Sequence, residues 1–499
     1  MQETDFLAFI KELDLLNRSI ALLDWDEQTG MPSKASDYRS EMTSYLASLA
    51  FDKKVGPEME AYLSYFESHQ EELSEVGQAV YCEAKRDFDL NQRIPKKAYG
   101  AFQKGSSKAY AAWQEARQAN DFSLFAPALA EIVTFLKQFI PLWQKDEATP
   151  YDVLLNQYEP GMTTEILDKV FAEVLAGINE IRQTLQAKGQ APETSFLQRT
   201  VPLDQQRRFV EEVAQRLGYD FSRGRLDDTI HPFMTGINRN DARITTRWHE
   251  NDFMFATFGV IHEAGHGIYE QNVDAKYDYT NLSGGTSMGI HESQSLFNEI
   301  IIGSSKNFWQ KQYPLFQEIT GATFADISFE DFYRSLKKTQ ASLIRIEADP
   351  LTYPIHIIIR YEIEKALFNG ELTVSELPQV WREKYQEYLG VTPPDDLSGV
   401  LQDVHWAGAS FGYFPSYALG YMYAAQLYYA MNQDQDVEAI LATDDYTPIR
   451  QWNTEKIHQY GASKTPSWLI KEATGEELNP KYLLDYLRKI YFVVYQVKE

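Results

Sequence analysis

The chain has 499 residues, a formal net charge of −25, 44% hydrophobic residues and 24% charged residues. That balance describes a soluble globular protein and excludes a disordered or fibrous one. The acidic excess argues against a nucleic-acid partner, which needs clustered lysine and arginine to meet phosphate.

One cysteine, Cys82, rules out an internal disulfide and any cysteine cluster for a metal. The start, MQETDFLAFIKEL, has no basic region followed by an apolar one, and no run approaches the length that crosses a bilayer. A cytoplasmic protein with no membrane partner is therefore expected. Length alone allows about three domains. No repeat, low-complexity tract or linker divides the chain, so 1–499 is read as one domain with a lobe boundary expected within 150–225.

From Thr4 to about Glu147 apolar residues recur at three and four, as in Phe6, Phe9, Ile10, Leu13 and Leu16, which predicts packed amphipathic helices. Breaks fall at Gly30-Met31-Pro32, Gly56-Pro57 and Pro95. Trp25, Asp26 and Glu27 read as a helix end anchored in the core rather than a binding cluster. Pro150 to Met162 reads as a connection, after which Thr163 caps a helix to about Lys188; Arg199 to Leu217 continues the helical pattern.

Near Ile230 the texture changes. HPFMTG and NRNDARITTRWHEND are short, β-branched and bounded by turn residues, which predicts two or three strands. The edge of such a sheet can take an extended peptide.

Phe253 to Asn272 follows, with Asn251 or Asp252 as N-cap, and carries His262, Glu263 and His266 as H-E-x-x-H. Two histidines four apart on a helix share one face and can reach one cation, with the glutamate between them directed at water. After a polar connection comes a helical segment, Ile290 to Ile302, and then two more helices. Asp349 and Pro350 predict the start of a helix that ends at Gly370. Helices continue to the terminus.

Catalytic zinc usually takes three protein ligands. A metzincin would place glycine and histidine where Tyr269 and Asn272 stand. The preferred third ligand is Glu292, the first carboxylate of the next helical segment, 26 residues beyond His266. Glu270, one turn past His266, is its rival. Glu263 is then the general base toward metal-activated water. Gly265 and Gly267 each cost the helix roughly 1 kcal/mol relative to alanine, a cost that makes sense where another backbone or a substrate must come close.

Donors for an oxyanion are sought in His405, Tyr413, Tyr417 and Tyr421. A free terminal carboxylate calls for arginine, and the candidates are Arg243, Arg345 and, more weakly, Arg360. Arg345 has the alternative of an ion pair with Asp349, four residues on.

Six ordered motifs add a resemblance. HPF at His231, D-x-R-x-T at Asp241, Arg243 and Thr245, HEAGH at His262, HESQ at His291, IRxxAD at Ile344, Arg345 and Asp349, and GxxQDxHW from Gly399 to Trp406 together resemble the carboxypeptidase Taq family of metallocarboxypeptidases. ALLDWDEQTGMP and PYDVLLNQYEPGM look like that family too. The resemblance implies a mainly helical metallopeptidase fold, with a deep groove and a small β-sheet next to the active site, and a homodimer. It implies one divalent ion per chain, zinc or else cobalt, held by His262, His266 and Glu292, with Glu263 as base. Arg243, Arg345, His405, Tyr413 and Tyr417 are expected to contact a peptide substrate with a free C-terminus. The activity implied is release of single C-terminal residues with broad specificity, failing at C-terminal proline. The alternative is a helical zinc oligopeptidase or dipeptidyl carboxypeptidase.

Overall fold

The computed structural model describes residues 1–498, and these are mostly helix with one three-stranded sheet, as expected. The chain divides into two units. The first gathers Met1–Asn91, Glu193–Leu336 and Tyr423–Leu478; the second gathers Gln92–Pro192, Lys337–Met422 and the residues from Asn479 onward.

In the first unit the opening helix, Glu3–Thr29, buries Phe6, Phe9, Ile10 and Leu13 on one stripe and stops at Gly30. Trp25 near its end is buried, with the Arg243 guanidinium 4.3 Å from its ring centre, so it is a packing residue. The sheet runs β1 (Leu226–Asp228), β2 (Met234–Asn238) and β3 (Asp241–Thr246) in spatial order β1-β3-β2. β3 pairs parallel to β1 and antiparallel to β2, with Ile244 opposite both Leu226 and Met234. β3 buries Ala242, Ile244, Thr245 and Thr246, and Ile244 and Thr246 lie against the helix that carries H-E-x-x-H, near Gly267 and Gly259.

That helix spans Phe253–Gln271 and is capped by Asp252, whose Oδ1 accepts from the Phe255 N–H at 3.3 Å. Phe253 plugs its N-terminal end into Phe316, Phe324 and Phe332, at ring-centre distances of 4.8, 5.4 and 6.4 Å. Burying one phenylalanine this fully stabilises by about 2–3 kcal/mol. The next helix, Met288–Leu296, is capped by Ser287 and continues into a π-helical turn, Phe297–Ile302.

The second unit contains two departures from expectation. Pro150–Tyr158 is a helix, not a connection. Thr149 Oγ1 accepts from the Asp152 N–H while Asp152 Oδ2 accepts from the Thr149 N–H, and this reciprocal cap precedes a proline suited to the first turn. The helix expected from Asp349 begins instead at Tyr353. The Asp349 carboxylate accepts from the Leu351 and Thr352 N–H groups at 3.0 and 3.2 Å and closes a turn of its own, leaving Pro354 to take the first helical turn. Gly370 ends the helix as expected, at φ 88°. Thr163 likewise caps Thr164–Lys188.

Glu364 of that helix is the second unit's central acceptor. It is fully buried and takes the Tyr151 hydroxyl at 2.7 Å, the Trp406 Nε1–H at 2.7 Å and the Gly412 N–H at 2.9 Å. Burial pushes its carboxyl up to about 7, although all three donors favour the charged form. Glu364→Gln would turn one acceptor into a donor and leave at least one buried donor unpaired. It is expected to destabilise the fold by about 1–3 kcal/mol, read from denaturant titration.

Candidate metal centre

Gly265 decides how close the two site helices come. A Cβ built there would lie 2.4 Å from the Gln294 carbonyl oxygen and 2.6 Å from the Ser295 Cα, so the backbone of Met288–Leu296 rests directly on this glycine. The close approach expected at Gly265 is therefore made by backbone. At Gly267 it is made by the Tyr219 ring, 2.6 Å from an added Cβ.

The contact brings Glu292 over the histidine face. Glu292 Oε2 lies 3.4 Å from His266 Nε2 and 3.8 Å from His262 Nε2, and the three donor atoms all fall within 4.8 Å of one another. Donors sharing one tetrahedral cation through bonds of about 2.0–2.1 Å sit roughly 3.4 Å apart, so this set fits such an ion. No other His, Cys, Asp or Glu cluster among the described residues converges this way. Glu270 is not in the set; its carboxylate meets His291 Nε2 at 3.0 Å instead.

Carboxylates dominate the charge around this set. Four carboxylates, Glu263, Glu270, Glu292 and Glu299, are carried by these two helices and the π turn. Burial works against a charge on His262, yet Glu292, Glu299 and Glu263 outweigh it and lift the imidazole to about 10. His266 goes the other way, to about 4, through burial and the neighbouring His291 and His262 rings. Glu292 stays below the ordinary carboxylate range because His262 and His266 oppose its burial. Burial lifts Glu263 to about 7. The carboxylates thus favour positive charge on the His262 side of the set, while burial and the neighbouring rings keep His266 neutral.

Each histidine also has a partner on its far nitrogen. His262 Nδ1 lies 2.7 Å from Glu299 Oε2, and His266 Nδ1 lies 2.7 Å from His291 Nδ1. Glu299 went unread in the sequence. Its signal was present, because it stands two turns past Glu292, but the π turn Phe297–Ile302 alters the residue count per turn and with it the face that Glu299 occupies.

Arg243 lies on β3 in the same unit. Its Nε and Nη2 donate to both oxygens of Asp241 at 2.7 and 2.8 Å, and its plane covers Trp25.

The remaining candidates gather in the second unit. Arg345 does not pair with Asp349. Its Nε donates to Asp403 Oδ1 at 2.9 Å and its Nη1 to the Tyr353 hydroxyl at 2.8 Å. Asp403 accepts Arg360 as well, at 2.7 Å, and the two guanidinium groups hold its carboxyl well below the usual range even though it is buried. All three nitrogens of Arg360 are engaged within the protein, with Asp403, Gln402, His356 and Tyr385, so it has no free donor for a ligand. Arg345 rests 5.0 Å from the Tyr417 ring centre. Tyr417 meets His405 Nε2 at 3.1 Å, and the Tyr413 ring lies 5.2 Å from that of Tyr417. Tyr421 stacks on Tyr353 and is buried. Burial and the nearby Arg345 depress His405 to about 3, and its Nδ1 has no hydrogen-bond partner. The structure thus collects Arg345, His405, Tyr413 and Tyr417 into one cluster.

One family model, carboxypeptidase Taq (M32) metallopeptidase, matches residues 5–491. The chain belongs to that family. Carboxypeptidase 1 of Bacillus subtilis (strain 168) is 47% identical over 494 residues, covering 99% of this chain and 98% of that one. Thermostable carboxypeptidase 1 of Thermus thermophilus is 36% identical, covering 98% of each. Among solved structures, the M32 carboxypeptidase from Deinococcus radiodurans R1 superposes with a TM-score of 0.95 at 36% identity, covering 99% of each chain. This M32 chain is accordingly a metal-dependent carboxypeptidase, and membership implies a divalent metal.

The close helix contact yields a test. Gly265→Ala would force the two backbones apart and carry Glu292 away from the histidines. Zn²⁺ affinity, measured by chelator competition, is expected to fall about tenfold or more. Gly267→Ala meets side chains rather than backbone, Tyr219 at 2.6 Å and Ile244 at 3.4 Å, and a smaller loss is expected.

Proposed function

We propose that the chain releases single amino acids from peptides with a free C-terminus, with broad specificity, using one zinc ion held by His262, His266 and Glu292. The observation that carries this reading is the convergence of those three donor atoms within 4.8 Å on two helices locked at Gly265. Two imidazoles and one carboxylate suit zinc at a catalytic site, and cobalt can take the same ligands. When bound, the ion would polarise a scissile carbonyl and make water a stronger acid.

Glu263 is the base in this scheme. It follows His262 directly, about 100° further round the helix, so its carboxylate borders the ligand face without belonging to it. It accepts a proton from the attacking water and returns it to the leaving amine. Arg243, Arg345, His405, Tyr413 and Tyr417 are the proposed substrate contacts. Arg345 is favoured for the terminal carboxylate. Asp403 fixes its orientation, and the His405 and Tyr417 donors stand beside it. Arg243 is the less suited because Asp241 already takes its fork.

The proposal includes a cytoplasmic homodimer. A lone exposed thiol, Cys82, suits a reducing compartment, and sedimentation tests the dimer.

Glu263→Gln is expected to keep full zinc content by elemental analysis while turnover falls by about 10²–10⁴-fold, the worth of general acid–base catalysis. Retained turnover would remove Glu263 from the mechanism. A peptide and its C-terminally amidated twin, followed by mass, separate this activity from an oligopeptidase: the free acid should lose one residue at a time and the amide should persist. Arg345→Gln should raise KM for the free acid more than it lowers kcat. Equal cleavage of acid and amide by the parent enzyme overturns the carboxypeptidase scheme.

A further inference from the structure

We infer that Glu270 and His291 form a positioning relay that fixes the tautomer of His266. The inference rests on His266 being a metal ligand, as proposed above, and concerns how the chain prepares it for that role.

Each proton along the chain of rings is fixed by its neighbour. To ligate through Nε2, the His266 ring must leave that nitrogen bare and carry its proton on Nδ1. That proton faces His291 Nδ1 at 2.7 Å, so His291 must present a lone pair there. With a lone pair on Nδ1, the His291 ring has its proton on Nε2, which donates to Glu270 Oε1 at 3.0 Å. The opposite orientation would set the bare His291 Nε2 against a carboxylate oxygen, lone pair to lone pair. Glu270 thus propagates one orientation through two rings to the ligating atom.

The surroundings are built to hold this chain. Glu270 is 6% exposed, and its Oε1 also accepts the Gly285 N–H at 3.1 Å. Glycines leave the space: a Cβ at Gly285 would lie 2.6 Å from His291 Cδ2, and one at Gly236 would lie 2.9 Å from Glu270 Oε2. The Tyr269 ring, 5.0 Å away centre to centre, flanks His291. His262 needs no such intermediary, since Glu299 meets its Nδ1 directly.

The relay is tested on the full chain with Zn²⁺ as probe, by chelator competition, and with Co²⁺ absorption as a spectroscopic readout. His291→Leu and Glu270→Gln are each expected to weaken Zn²⁺ binding by about 10- to 100-fold. Both should shift the Co²⁺ bands relative to the parent. His291→Asn, which keeps an acceptor where Nδ1 stood, should recover part of the His291→Leu loss; a residue that merely fills space would gain nothing from a buried amide. Because the two groups act in series, the Glu270→Gln/His291→Leu double variant should be no worse than His291→Leu alone. Losses that add, or single variants within twofold of the parent, overturn the relay. If His291→Leu shows no cooperative unfolding as apoprotein, Glu270→Gln and His291→Asn decide. The metal reading fails separately: a parent whose Zn²⁺ affinity is unchanged by His266→Ala would overturn that reading and not the relay alone.

Discussion

The backbone contact at Gly265 is the constraint from which the candidate metal centre follows. Two histidines on one helix define a line, and a cation needs a donor from outside that line. Only a hydrogen at the Cα of residue 265 lets a second helix come close enough to supply Glu292, with the Gln294 oxygen occupying the place a methyl would take. The cost of glycine inside a helix, roughly 1 kcal/mol, is offset by burial on nearly every side, including Phe253, Val260, Ile261 and Ile268. The sheet supports the same helix from another side through Ile244, and Tyr219 covers Gly267.

Much of this was legible before the structure because it is local and periodic. His262 and His266 are one helical turn apart, and the cap, the apolar content and the absence of proline all agree with a helix there. That Glu292 comes beside the two histidines could be anticipated because it is the first carboxylate on the following helix. The strands were readable from β-branched residues between turn formers, although β1 at Leu226–Asp228 lies upstream of the segment that signalled them. The illegible parts depend on distant partners. Nothing near Arg345 in the chain points to Asp403; the nearby Asp349 was the natural partner by spacing, and it is occupied by its own turn. Glu299 reaches His262 from a π turn, a register that a 3.6-residue period does not describe. Pro150 looked like an interruption because a cap made jointly by Thr149 and Asp152 is weak evidence in sequence and strong in three dimensions.

Carboxylates carry the organisation of both units, and their settings differ in kind. In the second unit Asp403 is ionised by design, since two guanidinium groups share it, and removing it would strand both in a buried place. Glu364 is ringed by neutral donors alone and serves as a structural acceptor. In the first unit Glu292 and Glu299 touch imidazoles rather than arginines, and an imidazole, unlike a guanidinium, can give up its proton and ligate a metal. That contrast explains why one acidic cluster reads as architecture and the other as a place for an ion.

The compact span of the centre has a further consequence for dynamics. The three donors and the groups behind them, Glu270, His291 and Glu299, all lie between His262 and Glu299 of one unit. A ligand that binds only the folded form adds its binding free energy to every opening that breaks its site. Metal loading would therefore slow amide exchange throughout Phe253–Ile302, because a local opening of that stretch breaks the site as surely as global unfolding does. In an apoprotein the same stretch, with its π turn and its close-set carboxylates, is the natural place for a local opening to start.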